Sequence, residues 1–195
     1  MSKTFSFYTY IEEGHLHEKL LAHYTLHKRG YFILGPSGCG KSYYVNHLSN
    51  KHDWIDGDMI WTATHAQPRT AWWEAGDSAP SLRLIDAMSD VITYQAVQQG
   101  YRIIGASNLW LRPDAVVLPP LEKHMEYLTM RSTGENYDGG LTIDQLSNVK
   151  EHRERIRLNA QNPQLTYRTI DTKNIEPVPI FESVEEAARF LESQP

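Results

Sequence analysis

The sequence predicts an α/β domain in three layers: a parallel sheet of about five strands between helices, with an N-terminal strand–helix extension and a short lid. Three observations carry this expectation. Short apolar runs, Tyr31-Phe32-Ile33-Leu34 above all, show no polar alternation and read as strands buried on both faces. They alternate with longer stretches of helical period, so the connections between strands are crossovers and the sheet is parallel. The run 31–34 leads directly into Gly35-Pro36-Ser37-Gly38-Cys39-Gly40-Lys41-Ser42, a glycine loop placed to open a helix.

The elements follow in order. Residues 5–11 are aromatic and β-branched and predict a strand. Residues 12–28 carry Leu16, Leu20 and Tyr24 near helical spacing, and Gly30 stops that helix. Together these make the extension, 1–30. After the strand 31–34 and the glycine loop, a helix is expected over 41–49, then a strand at Trp54-Ile55-Asp56. Residues 81–99 place Leu82, Ile85, Met88, Ile92 and Ala96 on one helical face, and Gly100 ends the helix. A third strand spans 101–106 and a fourth 114–118, the latter closed by Pro119-Pro120. Residues 121–129 read as helix, 132–141 as a loop rich in Gly, Asn and Asp, and 143–159 as a charged helix. A fifth strand is expected at Thr166-Tyr167-Arg168-Thr169-Ile170, and a terminal amphipathic helix at 184–193. The whole chain, 1–195, reads as one domain, with its core in 31–130 and 160–195 and its lid in 131–159.

Composition sets bounds. The 195 residues suit a single core, and fractions of 41% hydrophobic and 22% charged residues are those of a globular chain. A net charge of −5 excludes a basic nucleic-acid footprint at the level of the whole chain and leaves a local patch open. One cysteine permits no internal disulfide and suits a reducing compartment. No apolar run reaches the roughly 20 residues needed to cross a bilayer, and the N-terminus lacks the apolar stretch of a signal peptide. The expectation is a cytoplasmic protein without a membrane partner; oligomeric state has no signature in the sequence.

The loop 35–42 matches G-x-x-x-x-G-K-[ST] in full. Glycines allow the backbone to turn so that its N–H groups converge on phosphate oxygens, and the following helix N-terminus adds partial positive charge. Lys41 is expected to reach the β- and γ-phosphates of a nucleoside triphosphate, and Ser42 to supply a hydroxyl to Mg²⁺. Cys39 occupies a variable position and reads as a small filler.

Asp56-Gly57-Asp58 closes the second strand, whose carboxyl end faces the ligand crevice of an open parallel sheet. The third strand ends in Gly105-Ala106-Ser107 without an acid, so Asp56 or Asp58 is the natural carboxylate for holding Mg²⁺ through water. The other would accept a proton from an attacking hydroxyl. Asp56 is taken as the metal-side acid and Asp58 as the base, the reverse remaining open, as does a simple Asp-Gly turn.

All five tryptophans, Trp54, Trp61, Trp72, Trp73 and Trp110, lie between the second strand and the residues just after the third. Each alone reads as a core ring. Together, Trp61, Trp72 and Trp73 favour an aromatic or nucleobase acceptor stacked on them, with Arg69 and Arg83 as partners for an anionic group. Arg131 precedes the Gly-rich loop, and Arg153 and Arg157 follow it one helical turn apart. Cations on a closing lid would cover charge developing on a transferred phosphoryl group. Arg155 reads as a solvated partner of Glu151. His23 and His27 have i,i+4 spacing, but no nearby carboxylate or cysteine completes a ligand set, so His15, His17, His23 and His27 read as surface or core residues.

Gly35 to Ser42, Asp56-Gly57-Asp58, the arginines Arg131 to Arg157 and the final strand–helix together resemble the nucleoside-monophosphate-kinase-like group of P-loop kinases, over roughly Tyr31 to Leu191. Gly-Pro-Ser-Gly-x-Gly-Lys-Ser and Pro68-Arg69 are similar to guanylate kinase, whose tyrosine-rich GMP domain is not recognisable. Asp-Gly-Asp is closer to gluconate and shikimate kinases, which phosphorylate hydroxyls. Polynucleotide kinase and the viral kinases of 5-hydroxymethyluracil in DNA are similar in logic. The resemblance implies a P-loop kinase fold using ATP and Mg²⁺. The leading expectation is transfer of the γ-phosphate to a hydroxyl on a nucleoside, a nucleotide or a hydroxymethylated base in DNA. A nucleoside-monophosphate kinase with a phosphate acceptor is the alternative. A nucleotide-binding switch with slow ATP hydrolysis is the alternative of another class.

Overall fold

Tyr31–Leu34 forms β1, and all four residues are buried. The strand lies at the centre of a parallel sheet, which is why its run is apolar without alternation. The structure, a computed structural model, describes residues 18, 20–50, 52–58, 82–106, 108–133, 141–167 and 176–195, with 82–85, 88 and 133 described by backbone alone. The other strands are β2 (Trp54–Asp56), β3 (Arg102–Gly105), β4 (Ala115–Val117) and β5 (Ile180–Phe181). Among the described residues the sheet has five strands in the order β2-β3-β1-β4-β5. Every pair is parallel, with Leu34 opposite Gly105 and Val116, and Asp56 opposite Ile104.

Besides a short helical stretch ending at Leu21 and the helical residues Gly57 and Asp58, six helices stand among the described residues. α1 opens as Lys41–Tyr43 and continues as a π-helical turn, Tyr44–Leu48. α2 is Leu82–Gln98 and α3 is Leu121–Thr133. α4, Leu146–Gln161, is entered through a 3₁₀ turn, Ile143–Gln145, which Thr142 and Gln145 close as a capping box. α5 is Pro163–Thr166, and α6, Val184–Glu192, starts at Ser183, whose hydroxyl accepts from the Glu186 N–H.

Strand alternation divides the sheet into two cores. Phe32, Leu34, Ile55, Ile103 and Val116 pack with Ile92 and Ala96 of α2 and Ile156 and Ala160 of α4. Tyr31, Ile33, Trp54, Ile104, Ala115 and Val117 pack with Tyr44 of α1 and Val184, Ala187, Ala188 and Leu191 of α6. The fold is therefore α/β with helices on both faces of an all-parallel sheet.

The connection from β3 to β4, residues 106–114, crosses the sheet without a helix among its described residues. A helix-free crossover must find partners for its own amides. Asp90 of α2, 1% exposed, supplies one carboxylate oxygen to the N–H groups of Leu109, Trp110 and Leu111 at 2.9, 2.6 and 3.2 Å. Leu111 enters the first core and Trp110 packs against it. Asp114 then accepts the Phe32 N–H at 2.8 Å, fixing the entry to β4 beside β1. Burial pushes both carboxyl groups above the usual carboxylate range.

Several elements differ from their sequence reading. Thr166 and Tyr167, the first two residues of the expected strand 166–170, do not lie in the sheet. Thr166 ends α5, in which Pro163 occupies the first helical turn with its φ already suited to a helix, and Tyr167 is buried in the first core. The strand that pairs with β4 is Ile180–Phe181. Residues 168–170 and the expected strand 5–11 lie outside the described residues. The helix expected to 28 ends near Leu21, because the amides beyond it are used elsewhere: the Thr25 N–H bonds to the carbonyl of His52 and that of His27 to Gly100. α3 runs four residues beyond its expected end, to Thr133, and α4 ends two residues later than its sequence reading, at Gln161. No helix among the described residues is long and apolar enough to cross a membrane.

Asp90→Ala should uncover three buried amides together. The expected loss is about 3 kcal/mol of folding stability, read as a lower urea midpoint with an unchanged slope. A midpoint within error of wild type would show that the crossover does not depend on this carboxylate.

Candidate active site

The chain leaves β1 through residues 35–40 and enters α1 at Lys41. The Gly35 N–H donates to the Gly105 carbonyl at 3.0 Å, so the loop starts in register with β3. Gly38 and Gly40 have φ of +79° and +95°, conformations that side chains disfavour. A Cβ on Gly38 would also lie 2.5 Å from Leu128 of α3. A Cβ on Gly40 would meet nothing within 4 Å, so the outer side of that turn is open to a ligand. Alternation of ordinary and left-handed residues at a helix start is the geometry of an anion-binding nest.

Lys41 is 8% exposed and curls back over its own loop. Its Nζ donates to the carbonyls of Gly35 at 3.1 Å and Pro36 at 2.7 Å, with Cys39 Sγ at 3.9 Å. Cys39 is buried, and burial pushes its thiol up, keeping it neutral. Ser42 follows at the half-buried start of α1.

Ser37 collects donors from two other segments. Its hydroxyl oxygen accepts from Arg131 of α3 at 3.0 Å and from the Leu141 N–H at 3.2 Å. Its carbonyl meets Nε2 of His124 at 2.8 Å. Nδ1 of His124 lies 2.8 Å from a guanidinium nitrogen of Arg153, whose second terminal nitrogen donates to the Pro119 carbonyl at 2.7 Å. The partners fix the tautomer. A guanidinium only donates and a carbonyl only accepts, so the hydrogen sits on Nε2 and Nδ1 accepts. Burial first, then Arg153 and Lys41, hold the imidazole below the usual histidine range against the pull of the Ser37 bond. His152 on α4 is pushed down to about 4, by burial first and then by Arg155, Lys41 and His124.

The acidic pair stands one strand away from β1. β2 pairs with β3, and a Cβ on Gly57 would come within 2.9 Å of the Gly105 Cα. The turn after β2 is thus seated directly on the end of β3. Asp56 is 5% exposed and accepts the Asp58 N–H at 3.1 Å, while Asp58 is exposed. The chain turns at Gly57, and the two carboxylates occupy different environments. Asp56 is close enough to contribute to the raised pKa of Tyr24, after burial.

The structure brings Arg131 and Arg153 to the glycine loop, Arg153 through His124. It does not bring Arg157, whose guanidinium bonds to Glu154 at 2.8 Å and to Gln161 at 2.8 Å on the outer side of α4. Trp54 is a core ring, its Nε1 donating to Glu192 at 2.8 Å. Arg83 lies in α2, which is described there by backbone alone, and Trp61, Arg69, Trp72 and Trp73 lie outside the described residues. So does most of the loop 132–141.

His124, His152 and the joining role of Ser37 have no counterpart in the sequence reading. The signal for His124 was available: His124, Leu128 and Arg131 fall at i, i+4 and i+7, one stripe of α3, and all three meet the glycine loop. Among the described residues no group of three or more His, Cys, Asp or Glu could hold a metal by itself. Ser42 and Asp56 nonetheless fit Mg²⁺ carried on a triphosphate, since that ion is held by one or two protein oxygens plus phosphates and waters.

The depressed pKa of His152 has a definite sign. The unfolded chain takes up the proton near 6.5 and the folded chain only near 4, so the stability present above pH 6.5 is lost as pH falls through that window. Urea unfolding of wild type and His152→Gln should diverge between pH 7 and pH 4, wild type losing about 2–3 kcal/mol more. A difference that does not vary with pH would contradict the assignment.

Comparison with protein-family models, with curated proteins and with solved structures found no match to this chain.

Proposed function

We propose that the chain is a P-loop kinase that uses ATP with Mg²⁺ and transfers the γ-phosphoryl group to a hydroxyl. The acceptor is of nucleobase-containing type: a nucleoside, a nucleotide or a hydroxymethylated base in DNA. One observation carries the reading. A complete G-x-x-x-x-G-K-S segment follows the central strand of an all-parallel sheet and opens a helix, with Gly38 and Gly40 at positive φ and the Gly40 side open. Ligands of open parallel sheets bind at the carboxyl ends of the strands, beside strands whose outgoing connections run in opposite directions. β1 and β3 are such a pair, since β1 leads towards β2 and β3 leads across to β4.

The chain's own groups then divide the work. Amides of the 35–42 loop and the Lys41 ammonium neutralise phosphate oxygens. Arg131, already bonded to the same loop through Ser37, adds charge where the transferred group becomes more negative. Ser42 and the buried Asp56 would hold Mg²⁺, which when bound neutralises phosphate charge. The exposed Asp58 takes the proton of the acceptor hydroxyl as its oxygen bonds to phosphorus and the ADP oxygen leaves. Separate environments for Asp56 and Asp58 support separate roles. Arg157, engaged with Glu154 and Gln161, has no part in this step. A single buried cysteine supports a cytoplasmic setting for the reaction.

γ-Labelled ATP offered with nucleosides, nucleoside monophosphates, sugars and oligonucleotides with and without hydroxymethylated bases should label a hydroxyl acceptor. Label on a monophosphate would favour the nucleoside-monophosphate kinase instead, and label released only as inorganic phosphate would favour a nucleotide switch. Lys41→Ala should abolish transfer with the circular dichroism spectrum unchanged; an unaltered rate would remove the proposal.

The two acids should separate kinetically. Asp58→Asn is expected to lower kcat by roughly 10²–10⁴-fold with little change in ATP affinity. Asp56→Asn should instead raise the Mg²⁺ concentration needed for half-maximal rate. Near-native kcat in both variants would point to an acceptor that needs no base.

A further inference from the structure

We infer that His124 is a positioning residue, coupling the glycine loop to α4 as a neutral imidazole that donates to Ser37 and accepts from Arg153, and so setting the loop in the arrangement that receives a triphosphate. This rests on the kinase reading above. The imidazole is 0% exposed and bridges three elements. Nε2 meets the Ser37 carbonyl at 2.8 Å within the loop, and Nδ1 meets Arg153 of α4 at 2.8 Å. Arg153 carries the link on to the Pro119 carbonyl, two residues past β4. On the same stripe of α3, Leu128 would be 2.5 Å from a Cβ on Gly38. The 37–38 peptide is thus held from one side by a hydrogen bond and an apolar contact whose positions are set by one helix. A loop that must present several amides at once gains from such preorganisation, because it need not be ordered by the ligand.

The bridge works in one protonation state. A proton on Nδ1 would set two donors against each other, and the charges facing the imidazole oppose it from every side. Arg153 and His152 approach from α4 and Lys41 from α1; Arg131 of α3 bonds to Ser37 beside it, and the buried Cys39 thiol is neutral. Burial first, then Arg153 and Lys41, keep the ring neutral below the ordinary histidine range. Acidification that finally protonates it releases Arg153 and with it the tie to α4.

Side-chain shape offers a test that keeps one half of the bridge at a time. In His124→Gln the amide N–H reaches for Ser37 while the Nδ1 acceptor is lost. In His124→Asn the amide oxygen takes the Nδ1 place while Ser37 is out of reach. MgATP binding to the full chain, measured by calorimetry without any acceptor, should weaken roughly tenfold in His124→Ala and His124→Asn and recover only part of that loss in His124→Gln, which regains the Ser37 bond and not the tie to α4. The wild-type affinity should also fall on acidification below the ordinary histidine range, by the share that His124→Gln does not recover and in a step that His124→Asn lacks. Nitrogen-15 NMR of the unliganded wild type should report hydrogen on Nε2 and none on Nδ1 at neutral pH, a readout that no failure of a variant to fold can affect. An Nδ1–H tautomer, an imidazolium at neutral pH, or equal MgATP affinity in all three variants and wild type would overturn the inference while leaving the kinase reading in place. Equal loss in all three variants with equal loss of thermal stability would reduce His124 to a packing role and overturn it too. Wild type that shows the expected tautomer but binds no MgATP would remove the kinase reading, and the positioning role with it.

Discussion

Two oxygens of one serine receive hydrogen bonds from three other places in the chain, and much of the site depends on that meeting. The carbonyl of Ser37 takes His124, and its hydroxyl takes Arg131 and the amide of Leu141. The loop that carries Ser37 hangs between the central strand and α1, so neither the sheet nor the helix alone fixes its middle. α3 supplies that missing constraint. Because α3 follows β4 through Pro119-Pro120, the position of the loop is referred to the sheet twice, once through Gly35 on Gly105 and once through β4 and α3. On the proposed kinase reading, this rigidity would aim the loop's amides before a ligand arrives.

Three buried charged side chains around the sheet serve the backbone. Asp90 and Asp114 lie beneath or beside the helix-free crossover and are bonded to amides, which offsets part of the cost of burying a carboxylate. Lys41 is treated the same way by the carbonyls of Gly35 and Pro36. On the proposed reading, the lysine's contacts would be exchanged for ligand contacts and the aspartates' would not. A carbonyl holding an ammonium can yield to a phosphate at small net cost, whereas three amides losing one carboxylate cannot find another acceptor inside the core.

Much of this was legible in the residues. β1, β2 and α2 announced themselves through unbroken apolar runs or clear helical period, and the glycine loop through its spacing. The fifth strand did not, for two opposing reasons. Residues 166–170 are rich in β-branched and aromatic side chains, yet Pro163 starts a helical turn and Tyr167 is claimed by the core. Ile180–Phe181 is too short to carry a period and is preceded by Pro177 and Pro179, and only its pairing with Val116 and Val117 makes it a strand. Arg157 and Arg153 share a helical face, but Glu154 and Gln161 lie within reach of the former and compete for it. Sequence spacing locates a side chain on a helix; it does not say which of several nearby partners wins. Spacing puts His124 on one stripe with Leu128 and Arg131, but it does not distinguish a histidine that fills space from one that bridges two elements.

The sheet formed by the described residues also tapers. β1 and β3 have four residues each, β2 and β4 three, and β5 two, and the shortest strand lies at one edge with three-residue β2 at the other. An edge of two residues offers a stray strand almost no ladder to join, and Pro179 immediately before it has no N–H to give. The two four-residue strands, which would make the longest templates for unwanted pairing, are enclosed between neighbours. The edges of the described sheet thus offer only short ladders, so strand length itself limits how far a stray strand could pair there.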